Sequence, residues 1–248
     1  MLWNLHQSIK KAPPAKVAEG VRIYAVGDVH GRSDLLQPLM ARIEAHTTAH
    51  PAPRPILIFL GDYIDRGPAS RQVIDHLLLL NERQEVILLK GNHEHYLIEF
   101  LRNPPFLPEW LQYGGLDTLL SYGMRPHNYL DSREQEFLAM SLSLALHENG
   151  HREFLDNLRL SFVCGDFFFV HAGVRPGVPL DQQSEGDLLE IRHDFLQHKS
   201  DFGKIVVHGH TPLPRPDVRS NRINIDTGAY ATGQLSCLIL ERDEIAFI

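Results

Sequence analysis

Three times in its first half the chain repeats one arrangement: an apolar run, a glycine-bounded loop carrying Asp, Asn or His, and a stretch with apolar residues at helical spacing. Val21-Arg22-Ile23-Tyr24-Ala25-Val26 leads into Gly27-Asp28-Val29-His30-Gly31. Ile56-Leu57-Ile58-Phe59-Leu60 leads into Gly61-Asp62-Tyr63-Ile64-Asp65-Arg66-Gly67, and residues 85–89 lead into Gly91-Asn92-His93-Glu94. A short unbroken apolar strand is covered on both faces, and strand–loop–helix repeats build a parallel sheet through right-handed crossovers. The repeat therefore predicts βαβ units whose loops converge at the C-terminal edge of one sheet, where open α/β sheets hold ligands.

The helices between these strands carry Leu35, Leu36, Leu39, Met40 and Ile43, then Val73, Ile74, Leu77 and Leu78, with Ser33 and Ser70 as expected caps. Residues 95–160 read as a largely helical insertion with Trp110 and Gly114-Gly115, and its His127, His147 and His151 as surface residues. Strand patterns follow at 160–164 and 167–170 around Gly165-Asp166, then at 205–207, 222–225, 235–240 and 245–248. They predict a mixed or antiparallel sheet packed on the first. The fold expected is α/β, a sandwich of mixed sheets flanked by helices. Residues 1–20, with Pro13-Pro14, read as a mobile or loosely docked arm, and 21–248 as one domain.

A formal net charge of −7 gives no bulk attraction to nucleic acid or an anionic membrane, so neither is an expected partner. No apolar run approaches the roughly 20 residues that span a bilayer. The first 20 residues lack the apolar core of an export signal, and the two cysteines, Cys164 and Cys237, sit in strand-like surroundings as small hydrophobes. The cytoplasm is the expected compartment.

Five strand ends carry the chemistry: Asp28 with His30, Asp62, Asn92 with His93, His171 in His171-Ala172-Gly173, and His210 in His208-Gly209-His210-Thr211. Oxygen and imidazole donors without thiolate suit Mn²⁺, Fe or Zn²⁺. They outnumber what one ion with open positions needs. Two ions sharing a carboxylate fit better, and that pair is a clamp for in-line phosphoryl displacement. In Gly61–Gly67 two acids and Arg66 crowd one loop, and facing carboxylates repel unless something positive intervenes.

Gly27-Asp-Val-His-Gly31, Gly61-Asp-Tyr-Ile-Asp-Arg-Gly67 and Gly91-Asn-His-Glu94 closely resemble the motifs of the phosphoprotein phosphatases within the metallophosphoesterase superfamily, in its bacterial and phage branch. His171-Ala-Gly173 and Gly209-His-Thr211 match the later motifs. The resemblance spans about residues 21–230. It implies Asp28 and His30 as ligands of a first ion, Asp62 as the bridging carboxylate, and Asn92, His171 and His210 as ligands of a second. It implies His93 as general acid, Asp65 as the carboxylate orienting it, and Arg66 and Arg192 as phosphate-binding arginines, with Arg175 the alternative to Arg192. Two divalent ions, manganese first, are the cofactors implied. Glu94 is expected to support its loop, His208 to be structural, and Tyr63 and Ile64 to pack. Relatives often carry Asn where Tyr113 stands before Gly114-Gly115.

The activity implied is hydrolysis of phosphoserine and phosphothreonine monoesters in proteins or peptides, with phosphotyrosine as a further class, by direct attack of metal-activated water. The alternative is a dinucleoside polyphosphate hydrolase with a similar metal core, acting on diadenosine tetraphosphate; there Ala typically matches Asp65. A non-catalytic metal-binding scaffold is the third reading, disfavoured by the complete ligand set.

Overall fold

Strands β1 (Val21–Val26) and β2 (Arg54–Phe59) send alternate side chains to opposite sides. Ile23, Ala25, Ile56 and Ile58 enter one apolar cluster; Tyr24, Val26, Leu57 and Phe59 enter another. Both faces are therefore covered, which explains the unbroken apolar runs. The computed structural model describes residues 15–248. Its two sheets have five strands each.

The first sheet runs β10-β9-β1-β2-β3, with β3 at Val86–Leu88, β9 at Cys237–Glu241 and β10 at Glu244–Phe247. β1, β2 and β3 are parallel, as the repeat requires. β9 and β10 were expected in the second sheet. Instead β9 pairs antiparallel with β1, because Leu238 and Leu240 join Ile23 and Ala25 in the cluster between the sheets. The second sheet runs β4-β5-β6-β8-β7, comprising β4 (Ser161–Cys164), β5 (Phe167–Val170), β6 (Ile205–His208), β7 (Asp217–Val218) and β8 (Arg222–Asn224). β5, β6 and β8 are parallel, and β4 and β7 antiparallel at the edges. Phe167, Phe169 and Val207 face the first sheet.

Helices α1 (Ser33–Ala49) and α2 (Ser70–Arg83) cover the outer face of the first sheet. Between β3 and β4 lie α3 (Asn92–Arg102), α4 (Leu107–Gln112), α5 (Gly115–Ser121), α6 (Ser132–Glu148) and α7 (His151–Asp156). α8 (Glu185–Glu190) and α9 (His193–Gln197) pack on the second sheet, and α10 (Ala229–Thr232) follows β8. No helix among the described residues is long and apolar enough to cross a membrane.

Two local expectations are corrected. Ser33 and Ser70 are the first helical residues, not caps; neither helix has a side-chain cap hydrogen bond, and the Ser70 hydroxyl accepts the Asp65 N–H instead. His151 is fully buried: its Nδ1 meets the Tyr122 hydroxyl at 2.6 Å and its Nε2 meets Asp75 at 2.9 Å, joining α2, α5 and α7. Residues 1–14 of the expected arm lie outside the described residues. The rest is docked, with Val17 buried and its N–H donating to Arg242 O at 3.0 Å.

Candidate metal centre

The loops after β1, β2, β3, β5 and β6 meet at one edge of the sandwich and are stitched together. Asp62 O accepts the N–H groups of Val29 (3.1 Å) and His30 (2.8 Å), His171 O accepts the Gly209 N–H (2.8 Å), and Asp28 Oδ2 accepts the His210 N–H (2.9 Å). Six described non-glycine residues have positive φ. Five stand here: His30 (46°), Asp62 (52°), Asp65 (69°), Arg66 (67°) and His210 (63°). Left-handed backbone costs an L-residue about 1–2 kcal/mol, and it persists where surrounding bonds over-determine it. Glu94 supplies several of those bonds. Its carboxyl accepts from the backbone N–H of Gly91, Asp62 and Tyr63 at 2.9, 3.0 and 2.7 Å. Burial and the facing Asp62 push it up to about 7. Gly91 caps α3, so Asn92 is left free for the site. A methyl group at Gly91 would collide with Asp62.

Two buried clusters share Asp62: His30–Asp62–His93 and Asp62–His171–His210. Asp62 Oδ2 lies 3.5 Å from His30 Nε2 and 3.8 Å from His93 Nε2; Oδ1 lies 3.4 Å from His171 Nε2. The tautomers follow from backbone acceptors. His30 Nδ1 faces Ile64 O (3.0 Å) and His171 Nδ1 faces Leu60 O (2.9 Å); carbonyls only accept, so each Nδ1 carries the proton and each Nε2 presents a lone pair. His171 Nε2 then faces Asn92 Oδ1 at 3.0 Å and His210 Nδ1 at 3.2 Å, and His210 Nδ1 faces Asn92 Oδ1 at 2.9 Å. The His171 Nε2 lone pair and Asn92 Oδ1 both accept, so they repel unless the His210 Nδ1 proton or a cation stands among them. Burial, then the facing His93, pushes His30 down to about 3; burial, then His171, pushes His210 down to about 2. Burial also lowers His171. Neutral imidazoles are what a metal needs. Burial opposes the Asp62 charge, but the surrounding imidazoles, His171 first, hold it ionised.

Asp28 lies outside both tight clusters, yet its Oδ1 is buried with no hydrogen-bond partner. Burial, then Asp226 and Asp62, raises it well above the usual carboxylate range. An orphaned oxygen among like charges fits a cation, so the donor set present suits divalent ions.

Asp65 turns away from Asp62. Its Oδ2 meets His93 Nδ1 at 2.7 Å and accepts from Trp110 Nε1 at 2.9 Å; its Oδ1 accepts from Thr118 Oγ1 at 2.6 Å. Burial opposes the His93 charge, but Asp62 and Asp65 outweigh it and raise the imidazole above its ordinary value. Arg66 lies with Nη1 3.3 Å from His30 Nε2 and its Cζ 4.6 Å over the Tyr230 ring. Arg192 reaches the site, donating from Nε to His210 Nε2 at 2.9 Å. Arg175 does not; it is paired with Asp187 and Asp194. His208 is buried against Phe195, outside the cluster. Tyr63 packs in the core and donates to Leu89 O at 2.7 Å.

Sequence reasoning missed Thr118, Asp226 and Tyr230. Asn224-Ile225-Asp226-Thr227-Gly228 is one more glycine-bounded loop after a parallel strand, and it brings Asp226 beside Asp28 and Tyr230 against His30, ring centroids 5.3 Å apart. That pattern was available. Nothing local marks Thr118.

A fold of two mixed sheets with buried His/Asp donors at one edge is that of a metal-dependent phosphoesterase. The calcineurin-like phosphoesterase family model matches residues 21–235, and the chain belongs to that family. It is 29% identical over 234 residues to a bis(5'-nucleosyl)-tetraphosphatase (asymmetrical), PrpE, of Anoxybacillus flavithermus, covering 86% of this chain and 88% of the relative. The protein of the same name from Bacillus velezensis is 27% identical, covering 85% and 86%. Among solved structures, a candidate diadenosine tetraphosphatase aligns with TM-score 0.60 at 18% identity over 94% and 97% of the two chains. A cold-active protein-tyrosine phosphatase of a psychrophilic Shewanella aligns with TM-score 0.56 at 16% identity over 94% and 80%. At such identities these structures establish the fold alone.

Proposed function

We propose that this phosphoesterase hydrolyses dinucleoside polyphosphates, the alternative reading of its sequence, in preference to phosphoproteins. The observation that carries this is the likeness, over more than four fifths of both chains, to relatives named as bis(5'-nucleosyl)-tetraphosphatases. Asp28 and His30 would hold one ion, Asn92, His171 and His210 a second, with Asp62 between them. Bound divalent ions supply charge neutralisation at phosphorus and acidify water. Arg66, beside His30, and Arg192, beside His210, would take phosphoryl oxygens by bidentate hydrogen bonds. Manganese is the first ion to test.

One observation favours phosphomonoesters as a second substrate class. The buried His93–Asp65 pair keeps a proton on the imidazole. A serine alkoxide leaves only with a proton, whereas a departing nucleotide carries its charge on phosphate oxygens. The acid therefore matters most for the monoester.

The test is a panel of kcat/KM values with Mn²⁺ for diadenosine tetraphosphate and for phosphoserine, phosphothreonine and phosphotyrosine peptides. The dinucleotide is expected to give the largest value. A larger value on any phosphopeptide overturns the assignment.

A further inference from the structure

Two exposed rings border the site, and they are not equivalent. Tyr230, on the His30 side, already carries the Arg66 guanidinium over its face. Tyr113, on the His93 side, is 38% exposed and stacked on Tyr96, with centroids 4.7 Å apart and 30° between planes. Tyr96 is itself fixed, its hydroxyl donating to Glu190 at 2.7 Å. A ring held this way loses little freedom when a flat partner settles on it.

The chain also sets the ring's distance from Arg66 and His93. Tyr113 precedes Gly114, whose φ of 102° turns the backbone so that its carbonyl accepts the Arg66 N–H at 3.2 Å. The Tyr113 centroid lies 6.5 Å from that of His93, edge-on. A single ribose separates a nucleoside 5′-phosphorus from its base. Phosphorus held between Arg66 and His93 would leave that base within a ribose's reach of Tyr113.

We infer that Tyr113, backed by Tyr96, is the stacking platform for a nucleobase of the substrate; this rests on the dinucleotide reading above. Every base has a π-face, so such a platform selects nucleotides over bare or seryl phosphates without choosing among bases.

The test uses the full Mn²⁺-loaded chain and calorimetric dissociation constants for ATP and for tripolyphosphate, beside KM and kcat for diadenosine tetraphosphate. Tyr113→Ala is expected to weaken ATP and raise KM for the dinucleotide about tenfold, several-fold more than it weakens tripolyphosphate. Tyr113→Phe, which keeps the ring, should stay within about twofold of wild type. Should Tyr113→Ala not fold, Tyr113→Leu keeps bulk without a π-face and carries the same contrast. Equal weakening of ATP and tripolyphosphate, or a loss in kcat without one in KM, assigns Tyr113 to propping His93 and overturns the platform. A larger loss on a phosphotyrosine peptide than on ATP overturns it in favour of a peptide ring. A wild-type chain that leaves diadenosine tetraphosphate intact sinks the dinucleotide reading, while the ATP-against-tripolyphosphate contrast still decides the ring.

Discussion

The glycine-bounded loops and the α4–α5 helices meet at Asp65 and bring different things to it. The loops carry the metal-facing donors and, among the described residues, nearly all of the left-handed non-glycine backbone. The helices carry none of those donors. They hold instead the two groups that aim Asp65, Trp110 and Thr118, which lie 45 and 53 residues along the chain. Gly114 at their junction braces Arg66, and a methyl group there would strike that arginine. Donor identity and donor direction are thus supplied by separate parts of the molecule. A change in the loops should remove chemistry, and a change in the helices should detune it.

The largest effect is expected at Asp62, the residue common to both clusters. Asp62→Asn removes the negative charge and one of the two ligand oxygens between the proposed ions. Bound metal by elemental analysis should fall below two per chain, and kcat on every substrate should fall on the order of a thousandfold. Retention of two ions in the variant would remove Asp62 from between them.

A smaller and more selective loss is expected at His93, where loop and helices both act. His93→Asn should keep the metal content and lower kcat on a phosphoserine peptide about a hundredfold, with a much smaller loss on diadenosine tetraphosphate. The pH profile gives the sign. Asp62 and Asp65 raise the His93 pKa, so the proton-bearing form persists above the ordinary histidine value and is lost as pH rises through the raised one. Phosphoserine turnover should fall across that alkaline limb, and the limb should vanish in His93→Asn. In metal-free protein the same pair stabilises the fold fully below about pH 6.5, and this contribution is lost as pH rises through the folded pKa. Equal losses on both substrates would detach His93 from the leaving group.

Most of this edge was legible because the loops are local: each motif sits where its own strand ends, and periodicity in the preceding run locates that end. The sandwich followed from the same runs. What sequence left open was long-range. β9 reads like any other apolar strand, and only the shared cluster with Ile23 and Ala25 places it beside β1. Ser70 has the composition and position of a helix cap, yet its hydroxyl serves Asp65, a choice made by tertiary proximity. His151 has polar neighbours in sequence but buried Tyr122 and half-exposed Asp75 as partners in space. Asp65 shares its loop with Asp62 and Arg66, and nothing local shows that His93 and the indole of Trp110 meet at one oxygen of its carboxylate.

The smallest effect is the most diagnostic of that division. Trp110→Phe keeps an aromatic ring against Phe100, on which the indole stacks at 5.2 Å, but removes the N–H that donates to Asp65 Oδ2. Losing a hydrogen bond to a buried carboxylate costs about 1–3 kcal/mol of stability. Metal content should not change, since no metal-facing donor is touched. The freed carboxylate then interacts more strongly with the His93 imidazolium, so the alkaline limb on phosphoserine peptide should move to higher pH, with kcat down about five- to tenfold as the imidazole loses its fixed orientation. Asp65→Asn should move the limb the opposite way, because it removes the charge that holds the proton on His93. A Trp110→Phe limb that stays where the wild type has it would leave the indole as packing alone, and the helices would then shape the site without tuning it.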